Sequence, residues 1–315
     1  MFKKVLLSLI VLLVVIVAAA AFVVWRYPMA VFNWKNRRAL ASAGFSEHTI
    51  ESRAGTQTVW EKGSGQILIL LHGAGDNAGS FAQVAPEFVS RYHVVVPDLA
   101  GHAESAPADG PLSIQSMLDG LDAVINARSG GQPVILVGNS LGAWIATVYA
   151  NQYPERVDRI VATGGGPLRG ERNDLAQLPA TREQAARIFE AVMDRGSPKP
   201  PGFVLDDIVR QAQSGPMKRM SESNDMEHFL LDGRLQGFQV PVDLVWGESD
   251  QLVPLAYARR MQEAMPATRL TIIPRCGHVP QQECPSSYAT ILKNTLKMQP
   301  PAPRRPQESK KSKPS

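Results

Sequence analysis

The chain has 315 residues, which suits one large α/β domain with an inserted lobe better than several independent domains, and its hydrophobic fraction of 44% is sufficient for a buried core. The net charge of +4 comes from the ends, because residues 1–38 contain six Lys or Arg and no acid, and residues 299–315 contain five against one acid. The 22 basic and 28 acidic residues in between make the central part mildly acidic, which argues against a nucleic-acid-binding surface.

An apolar run begins close to the N-terminus. Between residues 5 and 24 the only polar side chain is Ser8, and a helix of this length spans about 30 Å, the thickness of a bilayer hydrocarbon core. Trp25 and Tyr27 follow where interfacial aromatic residues are expected, and Pro28 is expected to end the helix. We therefore predict a single-pass membrane anchor over residues 1–27.

A cleaved signal peptide is the alternative for this segment. Lys3 and Lys4 form a basic start and the alanines at 18–21 offer a cleavage site, but the apolar run is longer than the usual signal-peptide core of about 7–15 residues. The side of the membrane stays open, because these two lysines favour an N-terminus inside the cell whereas the basic residues between 26 and 38 favour the opposite orientation.

From residue 55 onward, short runs rich in Val and Ile alternate with helical patterns. Strands are predicted at residues 56–61, 66–71, 92–96, 133–137, 157–163, 240–245 and 269–273. Helices are predicted at residues 113–127, 141–152, 257–264 and 285–297. Several strand runs are continuously apolar, which is typical of strands covered on both faces. The pattern predicts a mostly parallel α/β sheet with flanking helices, and functional residues just beyond the carboxyl ends of the strands.

Residues 169–239 interrupt this alternation. The segment has helix-like stretches at 182–193 and 204–213, a patch rich in Met and charge at 217–231, and no strong strand. We predict a helical cap inserted between two core segments, 45–168 and 240–298, with a merely long connection as the alternative. Residues 28–44 form a juxtamembrane segment. Residues 299–315, with five prolines and five basic residues, are predicted to be a disordered basic tail.

A Gly-Asn-Ser-Leu-Gly sequence at residues 138–142 lies between a predicted strand and a predicted helix. A serine on such a sharp turn projects above the edge of the sheet, and the flanking glycines let the backbone pass closely. The N-terminus of the helix directs free N–H groups and a positive dipole end toward developing negative charge. Ser140 is therefore the candidate nucleophile.

Serine is a weak nucleophile and needs a general base. His278 follows the last predicted strand and precedes the final helix, which places it at the same edge of the sheet. Asp250 follows the preceding strand in the same way, and a carboxylate there would fix the tautomer of the histidine. Glu248 is the competing carboxylate. The order Ser, Asp, His along the chain favours Asp250.

Two backbone N–H groups are needed to stabilise an oxyanion. One is predicted to be that of Leu141, and the other that of Ala74, in the loop after the strand at 66–71, with Gly75 as the second choice. His72 in the same loop is predicted to brace the loop rather than to act as a base.

Cys276 and Cys284 are the only cysteines. Their spacing matches no zinc motif, and nothing in the sequence indicates a metal or an organic cofactor. Two buried thiols are the favoured interpretation, with a disulfide as the alternative if the domain lies outside the cytosol.

Five landmarks together resemble the α/β-hydrolase superfamily over residues 45–297. They are His72-Gly73, the segment 98–102, the elbow at Ser140, the segment 247–250 and Gly277-His278. The anchored N-terminus and the stretch 149–160 are similar to membrane-bound monoacylglycerol-lipase-type hydrolases, and the bacterial lipase, esterase and C–C bond hydrolase branch is similar too. Ala143 and Ala103 stand where many relatives have glycine, which leaves the substrate open.

The resemblance implies an α/β-hydrolase fold and hydrolysis of carboxylic esters, with lipophilic esters such as monoacylglycerols favoured. It also implies that Asp98 is a structural ion-pair partner, and Ser140 argues against the haloalkane dehalogenase and epoxide hydrolase branches, which use aspartate there. Lactones, thioesters and C–C cleavage products are alternative substrates, and a non-catalytic binding module is a further alternative. The expected partners are an ester substrate and the membrane, without nucleic acid; the oligomeric state stays open.

Overall fold

Eight strands form one sheet in the computed structural model, which describes residues 2–170, 175, 178–265 and 267–298. The strands are β1 (Ser46–Ser52), β2 (Gly55–Gly63), β3 (Gln66–Leu71), β4 (Tyr92–Pro97), β5 (Val134–Asn139), β6 (Val157–Thr163), β7 (Val242–Gly247) and β8 (Arg269–Ile273). Their order is β1-β2-β4-β3-β5-β6-β7-β8. The pairs β1–β2 and β2–β4 are antiparallel and all later pairs are parallel, so the predicted mostly parallel sheet is confirmed.

The central strands are buried on both faces of the sheet. In β3, Leu68 and Leu70 pack into one hydrophobic cluster, whereas Ile67, Ile69 and Leu71 pack into a second cluster on the other side. Because successive side chains of a strand point to opposite faces, only a continuously apolar run can fill both clusters. The parallel arrangement also brings the carboxyl ends of β3, β5, β6, β7 and β8 to one edge of the sheet.

Ten α-helices accompany these strands within the described residues. They are α1 (Phe2–Arg26), α2 (Pro28–Ser42), α3 (Ile114–Arg128), α4 (Leu141–Gln152), α5 (Arg182–Val192), α6 (Gly202–Ala212), α7 (Pro216–Ser221), α8 (Leu255–Ala264), α9 (Pro280–Glu283) and α10 (Pro285–Lys297). Short 3-10 helices lie at Ala78–Phe81, Ala85–Phe88, Pro154–Arg156 and Met226–Phe229. The segment between β6 and β7, hereafter the insert, contains α5, α6 and α7.

The helix α1 has 25 residues and none of them is buried. By its length and composition it could cross a membrane. The helix α1 ends at Arg26, just before Pro28, as the sequence predicted, but the helix that follows was not predicted. A second helix, α2, begins at Pro28, because proline lacks an N–H and the first residue of a helix needs no acceptor for one.

The helix α2 packs on the rest of the protein through contacts at both of its ends. Leu40 near its end is fully buried and belongs to the same hydrophobic cluster as Phe45. At its start, the N–H of Met29 donates to Oδ2 of Asp207 on α6, at 2.9 Å. The segment predicted only as juxtamembrane is therefore a structured helix between α1 and the insert.

The two cysteines form a disulfide, which corrects the preference for free thiols. Cys276 and Cys284 are joined with their Cα atoms 6.2 Å apart, a separation that a disulfide spans. The short helix α9 lies between them and returns the chain toward Cys276. The predicted basic tail at 299–315 lies outside the described residues.

Candidate active site

Ser140 occupies a strained turn between β5 and α4. Its backbone φ of 54° and ψ of −115° lie in a region that L-residues rarely adopt. The glycines on either side make this turn sterically feasible: a Cβ on Gly142 would overlap the carbonyl oxygens of Leu71 and His72, and a Cβ on Gly138 would overlap the backbone of Gly142. The turn therefore places Ser140 at the carboxyl edge of the sheet, as the motif predicted.

The loop after β3 lies directly against this turn. A Cβ built on Gly73 would be 3.2 Å from Cβ of Ser140, so the loop passes beside the serine. Ala74 is the next residue, in a turn closed by the bond from the N–H of Asp76 to the carbonyl of Gly73, at 3.2 Å. Leu141 is the first residue of α4, and its N–H has no acceptor within the helix. Leu141 directly follows Ser140, and Gly73, the residue before Ala74, lies beside it.

His72 braces this loop. It is fully buried, its Nδ1 lies 2.8 Å from the carbonyl oxygen of Gly73, and its Nε2 accepts the N–H of Leu99 at 2.9 Å. Burial and the neighbouring His102 ring lower the pKa of His72 to about 3. The ring is therefore neutral near pH 7, and both of its nitrogens are engaged by the backbone.

Asp250 and His278 are joined by a buried hydrogen bond. The Nδ1 of His278 lies 2.8 Å from Oδ2 of Asp250, and the two residues are only 4% and 2% exposed. The other carboxylate oxygen of Asp250 accepts the N–H of Val253 at 2.9 Å. The competing Glu248 is exposed and accepts the N–H of Arg275 instead. Of the two acids considered, Asp250 is the one in contact with the imidazole.

Two glycines after β6 lie against both His278 and Ser140. A Cβ on Gly164 would be 3.1 Å from Nδ1 of His278, and a Cβ on Gly165 would be 2.7 Å from Cα of Ser140. Adjacent residues of one loop thus touch both proposed catalytic groups. These contacts were not predicted from the sequence. Three consecutive glycines directly after a predicted strand nevertheless indicate that another part of the chain passes close to the backbone there.

Asn139 is another residue of the candidate site that was not predicted from the sequence. It is fully buried, and its Nδ2 donates to the carbonyl oxygen of His278 at 2.8 Å. Its Oδ1 accepts from Nε2 of Gln281 on α9 at 3.0 Å. The residue before Ser140 is therefore bonded to the loop that contains His278. The available signal was a polar side chain at the end of an otherwise apolar strand.

The end of α5 in the insert is bonded to the loops that contain His278 and Asp250. The carbonyl of Val192 accepts the N–H of His278 at 2.6 Å, and the carbonyl of Ala191 accepts the N–H groups of Gln251 and Leu252 at 2.9 and 3.1 Å. These bonds join the insert to both loops through the backbone, which is independent of side-chain identity.

Asp98 is bonded to a backbone N–H and paired with an arginine. Its Oδ1 accepts the N–H of Ala78 at 2.7 Å, and its Oδ2 lies 3.5 Å from the guanidinium of Arg37 on α2. Burial raises the pKa of Asp98 to about 6. The expected ion pair is present, and its partner comes from the juxtamembrane helix. Among the described residues, no group of three or more His, Cys, Asp or Glu side chains could hold a metal ion.

Comparisons with known proteins agree with this geometry. The model of the "Alpha/beta hydrolase family" matches residues 68–291. A 2-hydroxy-6-oxo-6-phenylhexa-2,4-dienoate hydrolase of Burkholderia cepacia is 25% identical over 265 residues, covering 75% of this chain and 89% of the relative. Lipase 1 of Psychrobacter immobilis is 24% identical over 237 residues, covering 70% of this chain and 73% of the lipase.

A solved structure resembles a larger share of the chain. The crystal structure of a bacterial membrane phospholipase A, described as a virulence factor, superposes with a TM-score of 0.72 and 24% identity. The match covers 93% of this chain and 98% of the phospholipase. At this identity the likeness concerns the fold. With the family model matching most of the chain, the protein belongs to the alpha/beta hydrolase family and is a hydrolase.

Proposed function

We propose that this protein is a serine hydrolase that cleaves carboxylic esters through an acyl-enzyme on Ser140. The observation that supports this most directly is the buried hydrogen bond between Asp250 and His278, at the sheet edge where Ser140 sits on its strained turn. His278 accepts the proton of the Ser140 hydroxyl as the serine attacks the ester carbonyl, and Asp250 stabilises the imidazolium that forms.

The tetrahedral oxyanion then accepts hydrogen bonds from the N–H groups of Ala74 and Leu141. His278 returns its proton to the leaving alcohol, which leaves the acyl group on Ser140. In the second half of the reaction His278 accepts a proton from water, the hydroxide attacks the acyl carbonyl, and the acid is released with regeneration of the serine.

We infer that the substrates are lipophilic acyl esters such as monoacylglycerols. The exposed apolar helix α1 supports attachment to a membrane over residues 1–27, where such esters are found. Two of the relatives are named as a lipase and a membrane phospholipase. In this proposal residues 169–239 form a cap over the core segments 45–168 and 240–298, and the cap limits access to the acyl site.

Fluorophosphonate labelling tests the assignment of the nucleophile. The full chain in detergent is expected to be labelled and to hydrolyse soluble p-nitrophenyl esters, whereas Ser140→Ala should lose labelling and lower turnover by about 10⁴-fold or more, because nucleophile and base act as one unit. Ester hydrolysis that survives in Ser140→Ala would show that the roles are wrongly assigned. Folded wild-type protein without labelling would favour a non-catalytic binding module.

A second candidate keeps the triad and changes the bond that is cleaved. The similarity to a dienoate hydrolase of Burkholderia cepacia supports C–C bond cleavage, and lactones and thioesters require the same groups. A panel of acyl chain lengths, lactones, thioesters and a C–C cleavage substrate separates these options through kcat/KM. The ester proposal predicts the highest value for a long-chain monoacylglycerol.

A further inference from the structure

The loop that contains Ala74 has little stiffness of its own. Ala74 lies between Gly73 and Gly75, and Gly75 has a positive φ of 73°. Glycine imposes few restrictions on the backbone, so an N–H between two glycines needs support from outside the loop. An oxyanion hole works only if its donors are fixed relative to the nucleophile and the base.

Asp76 connects this loop to a distant part of the chain. Its N–H closes the turn on Gly73, and its Oδ1 accepts the N–H of Asn77 at 2.9 Å. Its Oδ2 accepts from Nε2 of Gln282 at 2.7 Å, across 206 residues of sequence. The carboxylate therefore bonds to its own loop with one oxygen and to α9 with the other.

Gln282 belongs to the short loop that contains the base. The Cys276–Cys284 disulfide closes this loop around both His278 and Gln282. Within it, the N–H of Gln282 donates to the carbonyl of Val279 at 2.9 Å. The position of the Gln282 side chain is thus tied to that of His278 by a covalent bridge and by the backbone.

We propose that the hydrogen bond from Gln282 to Asp76 positions the Ala74 N–H relative to His278, so that the oxyanion hole and the general base are fixed as one unit. This inference rests on the proposed function. Asp76 and Gln282 touch no reacting atom, and they act through the loops that contain Ala74 and His278. A second hydrogen bond, from Gln281 to Asn139, fixes α9 to the turn at Ser140.

Removing the amide of Gln282 tests the proposal. Gln282→Ala is expected to lower kcat for a soluble ester by about 10- to 100-fold, less than the loss of an oxyanion-hole donor itself, with KM nearly unchanged. Inhibition by a trifluoromethyl ketone, whose adduct has an oxyanion, should weaken in parallel with kcat/KM. A purely structural role would lower thermal stability without this selective loss of kcat.

Gln262→Ala is the matched control. Gln262 is also partly buried, and its Nε2 donates a single hydrogen bond, to the carbonyl of Thr268 at 3.2 Å, in a part of the core remote from the site. The Gln262→Ala variant loses the same kind of hydrogen bond and should keep the kcat of the wild type. If Gln282→Ala folds and its kcat equals that of Gln262→Ala, the proposal is overturned.

An exchange of donor and acceptor gives an independent test that does not depend on Gln282→Ala. Burial raises the pKa of Asp76 to about 7, so Gln282→Glu should lower kcat at alkaline pH, where both carboxyl groups are ionised and repel each other. Adding Asp76→Asn restores a donor–acceptor pair, because the new Nδ2 can donate to the new glutamate while Oδ1 still accepts from Asn77. The combination should recover most of kcat. Failure of the combination to exceed Gln282→Glu would overturn the proposal, and loss of activity in Ser140→Ala would then show that the proposed function itself still stands.

Discussion

The hydrogen bond between Asp250 and His278 allows one atom of the proposed triad to be changed with little change of shape. Both carboxylate oxygens of Asp250 accept, one from His278 and one from the N–H of Val253. In Asp250→Asn only one oxygen remains, so the amide must either direct its NH₂ at Nδ1 and impose the wrong tautomer or direct it at the N–H of Val253. We expect kcat to fall by about 10³- to 10⁴-fold in a protein that still folds.

Glu248→Gln is the control for this change. Glu248 is exposed, lies in the same loop and accepts from the N–H of Arg275 rather than from the imidazole. It should leave kcat for a soluble ester close to that of the wild type. A larger loss in Glu248→Gln than in Asp250→Asn would show that the orienting acid is wrongly assigned.

His102 is a buried histidine whose protonation opposes folding. Burial lowers its pKa to about 4, from an ordinary value of 6.5. Between these values the unfolded chain binds a proton at this residue and the folded chain does not, so His102 lowers the free energy of unfolding by about 1.4 kcal/mol for each pH unit of acidification. His102→Gln removes this titration, and the new amide can still donate to the carbonyl of Ala100, which lies 3.1 Å from Nδ1 of His102.

We therefore expect the stability of His102→Gln relative to the wild type to increase as the pH falls from about 6 to 5, by about 1.4 kcal/mol. Urea unfolding of both proteins in detergent, at several pH values in this range, measures the difference. A stability difference for His102→Gln that does not depend on pH would contradict the buried neutral state of His102.

At the scale of elements, the sequence predicted those strands and helices whose pattern is strong on its own. The bounds of β3, β6, β8, α4 and α10 were predicted as they occur, because apolar runs or a helical period define them. The strand β1 was not predicted, since Ile50 is its only buried residue and its stability depends on pairing with β2. The helix α2 was missed because Pro28 was interpreted as an end rather than a start.

The residues of the candidate site likewise fall into those that the sequence predicted and those that it did not. Ser140, Asp250 and His278 each follow a strand, so their positions at one edge follow from the topology of a parallel sheet. Asn139 and the glycines after β6 act through contacts with residues distant in sequence, and no local pattern specifies those partners. Free thiols were wrongly favoured over the disulfide for a related reason, because its formation depends on how α9 turns the chain between the two cysteines.

Across the whole molecule, a continuous series of contacts connects the N-terminal helix to the loop that contains His278. The guanidinium of Arg210 on α6 donates to the carbonyl of Arg26 at the end of α1, and Asp207 on α6 accepts the N–H of Met29 at the start of α2. Within the insert, α6 packs against α5. The end of α5 is bonded to His278 through the carbonyl of Val192. The corner between α1 and α2 is thus bonded to the insert, and the insert is bonded to the loop that contains His278.

Asp207 is the residue on which the α2–α6 contact depends most. It is 4% exposed and is paired with Arg210 at 2.9 Å. Asp207→Ala leaves the N–H of Met29 without its acceptor and Arg210 without its carboxylate, so we expect a loss of about 1–3 kcal/mol in the free energy of unfolding. Because the insert is then less firmly fixed beside α1, hydrolysis of a monoacylglycerol in vesicles should fall more than hydrolysis of a soluble ester.

The neighbouring Asp206→Ala is the control: Asp206 is exposed and pairs with Arg182 within the insert, and exposed ion pairs contribute little. Equal behaviour of the two variants, in thermal unfolding and in the ratio of the two activities, would show that the α2–α6 contact does not fix the insert.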